Sequence, residues 1–107
     1  MAPISACIIT YNEEKNIRRC IEALAGIADE VVVVDSFSCD NTLAIAESLG
    51  ARVLQRAFTG YGEQKLYAQN AAQHDWILSV DADEVVSPEL RQSLLEVKAR
   101  PARMLII

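Results

Sequence analysis

The chain has 107 residues, 51% hydrophobic and 23% charged, with four glycines and three prolines. That composition excludes disordered, collagen-like and repeat chains and fits one packed core. Fifteen acidic against ten basic side chains leave a net charge of −5, the wrong sign for binding nucleic-acid phosphates or anionic lipid headgroups. No nucleic-acid partner is expected, and a phosphate ligand must bring a cation or meet a local basic group.

Ile4 to Thr10 reads as a buried strand, an apolar β-rich run broken by Tyr11-Asn12. Asn12 is placed to cap a helix with Glu13 and Glu14 in its first turn, Ile17, Cys20, Ile21 and Leu24 at helical spacing, and Gly26 as its end. Val31 to Val34 has no polar alternation, the pattern of a central parallel strand covered on both faces, and it stops at Asp35. In the polar loop from Ser36 to Asn41, Asp40 or Asn41 caps a second helix carrying Leu43, Ala46 and Leu49 and stopped by Gly50. A short strand, Arg52 to Gln55, follows.

The glycine-bearing loop Phe58-Thr59-Gly60-Tyr61-Gly62 leads into a helix from Glu63 to Ala72, with Leu66 and Tyr67 as core contacts. Trp76 to Val80 is a fourth strand, running into Asp81-Ala82-Asp83-Glu84. Ser87-Pro88-Glu89 combines a capping hydroxyl, a proline at the first position and an acid in the first turn, a strong helix start ahead of Leu90, Leu94 and Val97. Pro101 closes that helix, and Met104 to Ile107 begins another strand. Alternating strands and helices predict an α/β fold, a Rossmann-like open, mostly parallel sheet with helices on both faces. The last strand has no polar closing residues, so residues 1–107 are expected to be one domain, the N-terminal part of a larger enzyme.

Cys7, Cys20 and Cys39 are odd in number and lack a Cys-x-x-Cys pair, which argues against a disulfide framework or a zinc knuckle and for free thiols in a reducing cytoplasm. No basic stretch precedes the first apolar run, and no run approaches the roughly 18 residues of a membrane span.

In open parallel sheets ligands bind beyond the carboxyl ends of the strands. The residues there are Thr10, Tyr11 and Asn12 after the first strand, Asp35 and Ser36 after the second, and Asp81, Asp83 and Glu84 after the fourth. If the chain stays extended past Val80, Asp81 and Asp83 project to one side. Two anions about 5 Å apart then repel by roughly 3 kcal/mol at an effective dielectric of ~20, which a divalent cation offsets. Mg2+ or Mn2+ suits this carboxylate set, and zinc does not. Asp35 is expected to join the cluster as an acceptor for a nucleobase or ribose. Lys65, near the start of a helix fed by Gly60 and Gly62, is placed to meet a diphosphate.

These residues resemble a known family. Ile8-Ile9-Thr10-Tyr11-Asn12-Glu13-Glu14, Val32-Val33-Val34-Asp35-Ser36 with Ser38-Cys39-Asp40-Asn41-Thr42, and Ile77-Leu78-Ser79-Val80-Asp81-Ala82-Asp83-Glu84 are similar to the N-terminal half of family 2 glycosyltransferases of the GT-A fold. Phe58 to Lys65, with Asp83-Glu84 and Ser87-Pro88-Glu89-Leu90, resembles the branch that builds bacterial lipopolysaccharide cores, including β-1,4-glucosyltransferases. The resemblance implies that Thr10, Tyr11 and Glu13 line a nucleotide pocket, that Asp35 contacts uridine, that Asp81 belongs to the ribose or metal shell, and that Asp83 binds the metal.

It also implies a nucleotide-diphosphate sugar donor, a glycan or lipid-linked acceptor, and a cytoplasmic protein working at the inner face of the bacterial membrane. Many relatives carry a second acid and then a glycine where this chain has Ser36 and Phe37. If the second acid reads the base, Ser36 replaces Asp35 as the candidate. The implied reaction is inverting transfer with the general base in the C-terminal half. Glu84, on the alternate side of the chain, is a poor stand-in, so no catalytic residue is assigned.

Two other readings use the same residues. Asp81-Ala82-Asp83-Glu84-Val85 also resembles the nucleophile motif of haloacid dehalogenase-type phosphatases, with Asp81 attacking a phosphoryl group. Alternatively the chain is a non-catalytic nucleotide-binding fragment whose uncovered sheet edge pairs with a second copy as a homodimer.

Overall fold

The computed structural model describes residues 3–99 and 105–106. Five strands form one sheet in the order β3-β2-β1-β4-β5, and every pairing is parallel. They are β1 (Ile4–Thr10), β2 (Glu30–Asp35), β3 (Arg52–Gln55), β4 (Trp76–Asp81) and β5 (Leu105–Ile106). The helices between them are α1 (Ile17–Glu22), α2 (Thr42–Ser48), α3 (Tyr61–Ala71) and α4 (Pro88–Lys98).

Side-chain alternation in the strands makes two cores. Ile4, Ala6 and Ile8 of β1, Val33 of β2 and Trp76, Leu78 and Val80 of β4 pack with Ile17, Cys20, Ala46 and Leu94, so α1, α2 and α4 share one face. Cys7, Val32, Val34 and Ile77 point the other way and pack on Ala68 of α3. The expected α/β sheet with helices on both faces is therefore present.

Three local expectations are corrected. Asn12 does not cap α1. It sits at φ 53°, its N–H donates to Ser38 Oγ (2.8 Å), and its Oδ1 accepts from the Cys39 N–H (2.8 Å). The helix begins only at Ile17, after a turn in which Asn16 and Ile17 both donate to the Glu13 carbonyl.

Leu66 and Tyr67 are not core residues. They are 55% and 41% exposed, and α3 instead buries Gln64 and Ala68. Nor does the chain stay extended from Val80 through Asp83, because β4 ends at Asp81. The Glu84 N–H closes a turn onto the Asp81 carbonyl (2.9 Å), and Ala82 is buried within it.

Other signals appear where the sequence puts them. Ser87 Oγ caps α4 by accepting from the Leu90 N–H, with proline following it. Asp40 opens α2 by accepting from the N–H and hydroxyl of Thr42. These bonds hold the Asp40 carboxyl below its ordinary range. The closing role of Pro101 and the strand positions of Met104 and Ile107 lie outside the described residues.

All three cysteines are free. Burial pushes the Cys7 thiol up to about 11, with the Glu30 carboxylate adding to the rise. No helix among the described residues is long and apolar enough to cross a membrane.

Candidate functional site

The parallel sheet brings the carboxyl ends of β1, β2 and β4 to one rim, with Thr10 opposite Asp35 and Ile9 opposite Asp81. The loops after β1 and β2 are stitched together there. Besides the two bonds of Asn12, the Glu13 N–H donates to Thr42 Oγ1 (2.9 Å), the Glu14 N–H to Asp40 (3.2 Å) and the Asn41 side-chain amide to Glu14 (2.7 Å). Phe37, 59% exposed, is held at φ 56°, a conformation that is costly for a bulky residue and persists only where its surroundings fix it. Its N–H donates to Gln55 Oε1 (3.0 Å), and the neighbouring Ser36 N–H donates to the Thr10 carbonyl (2.9 Å).

Between these loops and the start of α3 lies an open groove of about 580 Å³, lined by Ile9, Thr10, Tyr11, Glu13, Ser36, Phe37, Ala57, Phe58 and Tyr61. Four of the nine are aromatic and at least half exposed. Phe58 and Tyr61 meet edge to face with centroids 5.0 Å apart. Large flat rings left in water around polar groups are the usual makings of a platform for a planar ligand. Thr10, Tyr11, Glu13 and Ser36, all anticipated from sequence, converge on this groove.

Asp35 does not. It is fully buried, and both its oxygens are occupied inside the protein, accepting from Thr10 Oγ1 (2.6 Å), Ser38 Oγ (2.5 Å) and the Ser38 N–H (2.9 Å). The cause is alternation along β2. Asp35 shares the face of Val33, while Ser36 shares that of Val34 and reaches α3. Asp35 is thus a scaffold for the two loops, and Ser36 takes the groove position expected of it.

Asp81 lies on the α3 face of β4, and its carboxylate pairs with Lys65 Nζ of α3 at 3.7 Å, both side chains being about half exposed. This brings together two predicted residues, but Asp35 is two strand spacings from Asp81, roughly 10 Å. Asp83 is exposed within the turn that closes onto the Asp81 carbonyl. The expected convergence of three carboxylates on one ion is therefore absent. Among the described residues no group of three or more His, Cys, Asp or Glu side chains is placed to hold a metal.

The acids still crowd this end of the molecule. The Cys20 thiol beneath them is pushed up to about 12 by burial, reinforced by the carboxylates of Glu84, Asp83, Asp81 and Glu13. Exposed carboxylate oxygens suit Mg2+ or Mn2+, ions commonly held by one or two carboxylates while ligand phosphates complete the shell. Asp81 and Asp83 carry exposed carboxylates of that chemical type, and among the described residues they form no all-protein cage.

One residue that sequence reasoning missed joins these parts. Gln64 of α3 is fully buried, with its Nε2 donating to Ser36 Oγ (3.0 Å) and the Arg56 carbonyl (3.1 Å), and its Oε1 accepting from Arg56 Nη1 (2.9 Å). The Arg56 guanidinium also lies over the Tyr67 ring, 5.2 Å from its centroid. No spacing rule flags a glutamine at a core position. Only the weak apolar face of α3 hinted that something polar anchors it.

A parallel α/β sheet with a polar, aromatic-rimmed groove at its carboxyl edge has its groove where open α/β domains bind their ligands. Residues 5–106 match Glycosyl transferase family 2, and the chain belongs to that family, with the N-terminal portion of the GT-A fold. It is 52% identical over 91 residues to an uncharacterized glycosyltransferase of Rickettsia bellii, covering 85% of this chain and 31% of that protein. It is 38% identical over 102 residues to the lipopolysaccharide core biosynthesis glycosyltransferase LpsC of Rhizobium meliloti, covering 91% and 37%.

Among solved structures it superposes on glucosyl-3-phosphoglycerate synthase of Mycobacterium tuberculosis in complex with Mn2+, uridine diphosphate and glucosyl-3-phosphoglycerate. The TM-score is 0.66 at 29% identity, covering 76% of this chain and 33% of that one. The chain thus spans about a third of the length of the curated relatives it matches. Family membership displaces the phosphatase reading of Asp81.

Proposed function

We propose that this chain is the donor-binding portion of a glycosyltransferase and takes a nucleoside diphosphate sugar, a uridine diphosphate sugar by preference, at the carboxyl rim of its sheet. The observation that carries the reading is the groove itself, with Thr10, Tyr11, Glu13 and Ser36 among exposed aromatic rings. One strand spacing from Ile9, the Lys65–Asp81 pair offers a cation and an anion to the diphosphate side. The Mn2+ and uridine diphosphate held by the mycobacterial enzyme support the same ligand here.

The base stacks among the rings and turns its polar edge to Ser36. The diphosphate lies toward Lys65, whose ammonium now pairs with Asp81 and would be available to the phosphates if that carboxylate held a cation. Asp83, with Asp81, is the residue set for Mg2+ or Mn2+. When bound, that ion supplies positive charge against the charge that develops on the departing diphosphate. Transfer to an acceptor hydroxyl proceeds with inversion, and no described residue is assigned as its general base. The similarity to LpsC favours an acceptor in lipopolysaccharide or another cell-envelope glycan, made at the cytoplasmic face of the membrane.

Calorimetry with uridine diphosphate, with and without Mn2+, tests the assignment. Mn2+ should strengthen binding, and Asp83→Ala should remove that gain. Equal affinity in the wild type and in Asp83→Ala would defeat the metal assignment.

A further inference from the structure

One of the two acceptor positions of the Ser36 hydroxyl is filled from behind, and this biases what it reads on a ligand toward donation. Arg56 presents a guanidinium, which only donates, and a carbonyl, which only accepts. Gln64 lies between them, so its amide has one orientation, with oxygen toward Arg56 Nη1 and nitrogen toward the Arg56 carbonyl. The second proton of that nitrogen goes to Ser36 Oγ at 3.0 Å. Ser36 is therefore an acceptor on its inner side. Among the described residues nothing accepts the Ser36 hydroxyl proton, which leaves it for the groove that Ser36 lines. An acid at this position would offer the opposite sense, since an ionised carboxylate only accepts.

We infer that Ser36, polarised by the buried Gln64, reads a uracil nucleoside diphosphate by donating to a carbonyl oxygen of the base and not by accepting its ring N3–H. Ser36 is the specificity residue and Gln64 its positioning residue, acting only through the serine hydroxyl. This rests on the nucleotide reading above and adds to it the sense of the bond. Neutral hydrogen bonds of this kind are worth roughly three- to tenfold in affinity, and one to a charged acceptor tenfold or more.

The test compares uridine diphosphate with its N3-methyl analogue, which keeps both carbonyls and lacks the N3–H, by calorimetry at fixed Mn2+. The wild type should bind the two within about fivefold of each other, and Ser36→Ala should weaken both by roughly three- to tenfold, leaving their ratio unchanged. In Ser36→Asp, which accepts, the methyl analogue should fall at least about tenfold below uridine diphosphate. Gln64→Glu, which draws the serine proton inward, should shift the ratio the same way.

A purely structural role for Gln64 would weaken both ligands alike. If Gln64→Glu does not fold, the two Ser36 variants still decide the matter. A wild-type preference for uridine diphosphate above about fivefold, or a Ser36→Ala protein that binds it undiminished, would overturn the inference while leaving the nucleotide reading in place. Absence of any uridine diphosphate binding by the wild type would overturn both.

Discussion

The two ends of the sheet carry hollows of equal size, about 580 Å³ each, and differ in what their polar groups are doing. At the amino ends of the strands, Asp29 accepts from the Ile4 N–H (2.8 Å) and pairs with Lys98, and Glu30 accepts from the Ser5 hydroxyl, the Gln73 N–H and Arg52. Burial raises both carboxyls, but these donors outweigh it and hold them below their ordinary values of 3.8 and 4.5. At the carboxyl ends four aromatic rings stay exposed, the Ser36 proton has no acceptor among the described residues, and Asp81 and Asp83 face water. Volume does not mark the site. The amino rim is built to hold the chain together, whereas the carboxyl rim keeps groups in reserve for a ligand.

The sharpest way to break that contrast is to mutate the buried carboxyl-rim acid assigned to structure. Asp35→Ala leaves buried Thr10 and half-buried Ser38 without their acceptor, and it should cost about 3 kcal/mol and lower Tm by more than about 10 °C in thermal unfolding. An unchanged Tm would return Asp35 to the ligand. Next in size, Lys65→Met should weaken uridine diphosphate binding severalfold while changing stability by less than about 1 kcal/mol, because its ion pair with Asp81 is half exposed. A stability loss without an affinity loss would make Lys65 structural.

The amino rim should answer to acid. Its carboxyls titrate lower in the folded protein than in the unfolded chain, so the stability they add is complete above the ordinary values of 3.8 and 4.5. It is lost as pH falls below them through the folded values. Asp29→Asn combined with Glu30→Gln should flatten this fall in an acid unfolding curve, and an undiminished slope would contradict the assignment. Smallest of all, Leu66→Ser on the exposed side of α3 should shift stability by no more than about 0.5 kcal/mol.

Much of this contrast was legible in the sequence. The apolar runs of β1, β2 and β4 and the Ser87-Pro88 start of α4 are local signals, and the structure follows them. Period-two alternation along β2 also separates Asp35 from Ser36, once Val33 and Val34 are assigned to opposite faces. What was hidden depends on distant partners. Asn12 looks like a helix cap until Ser38 and Cys39 take both its polar groups. Leu66 and Tyr67 look like core until α3 docks through a buried glutamine. Asp81 and Asp83 look like a same-side pair until the turn onto Glu84 intervenes.

The central claim, that the carboxyl rim is the ligand site, is tested most directly by titrating uridine diphosphate and Mn2+ into isotopically labelled protein and following backbone amide resonances. Shifts are expected at Tyr11, Ser36, Phe37 and Tyr61 and none at Asp29, Glu30 or Gln73. Shifts centred on those amino-rim residues, with the carboxyl rim unmoved, would contradict it.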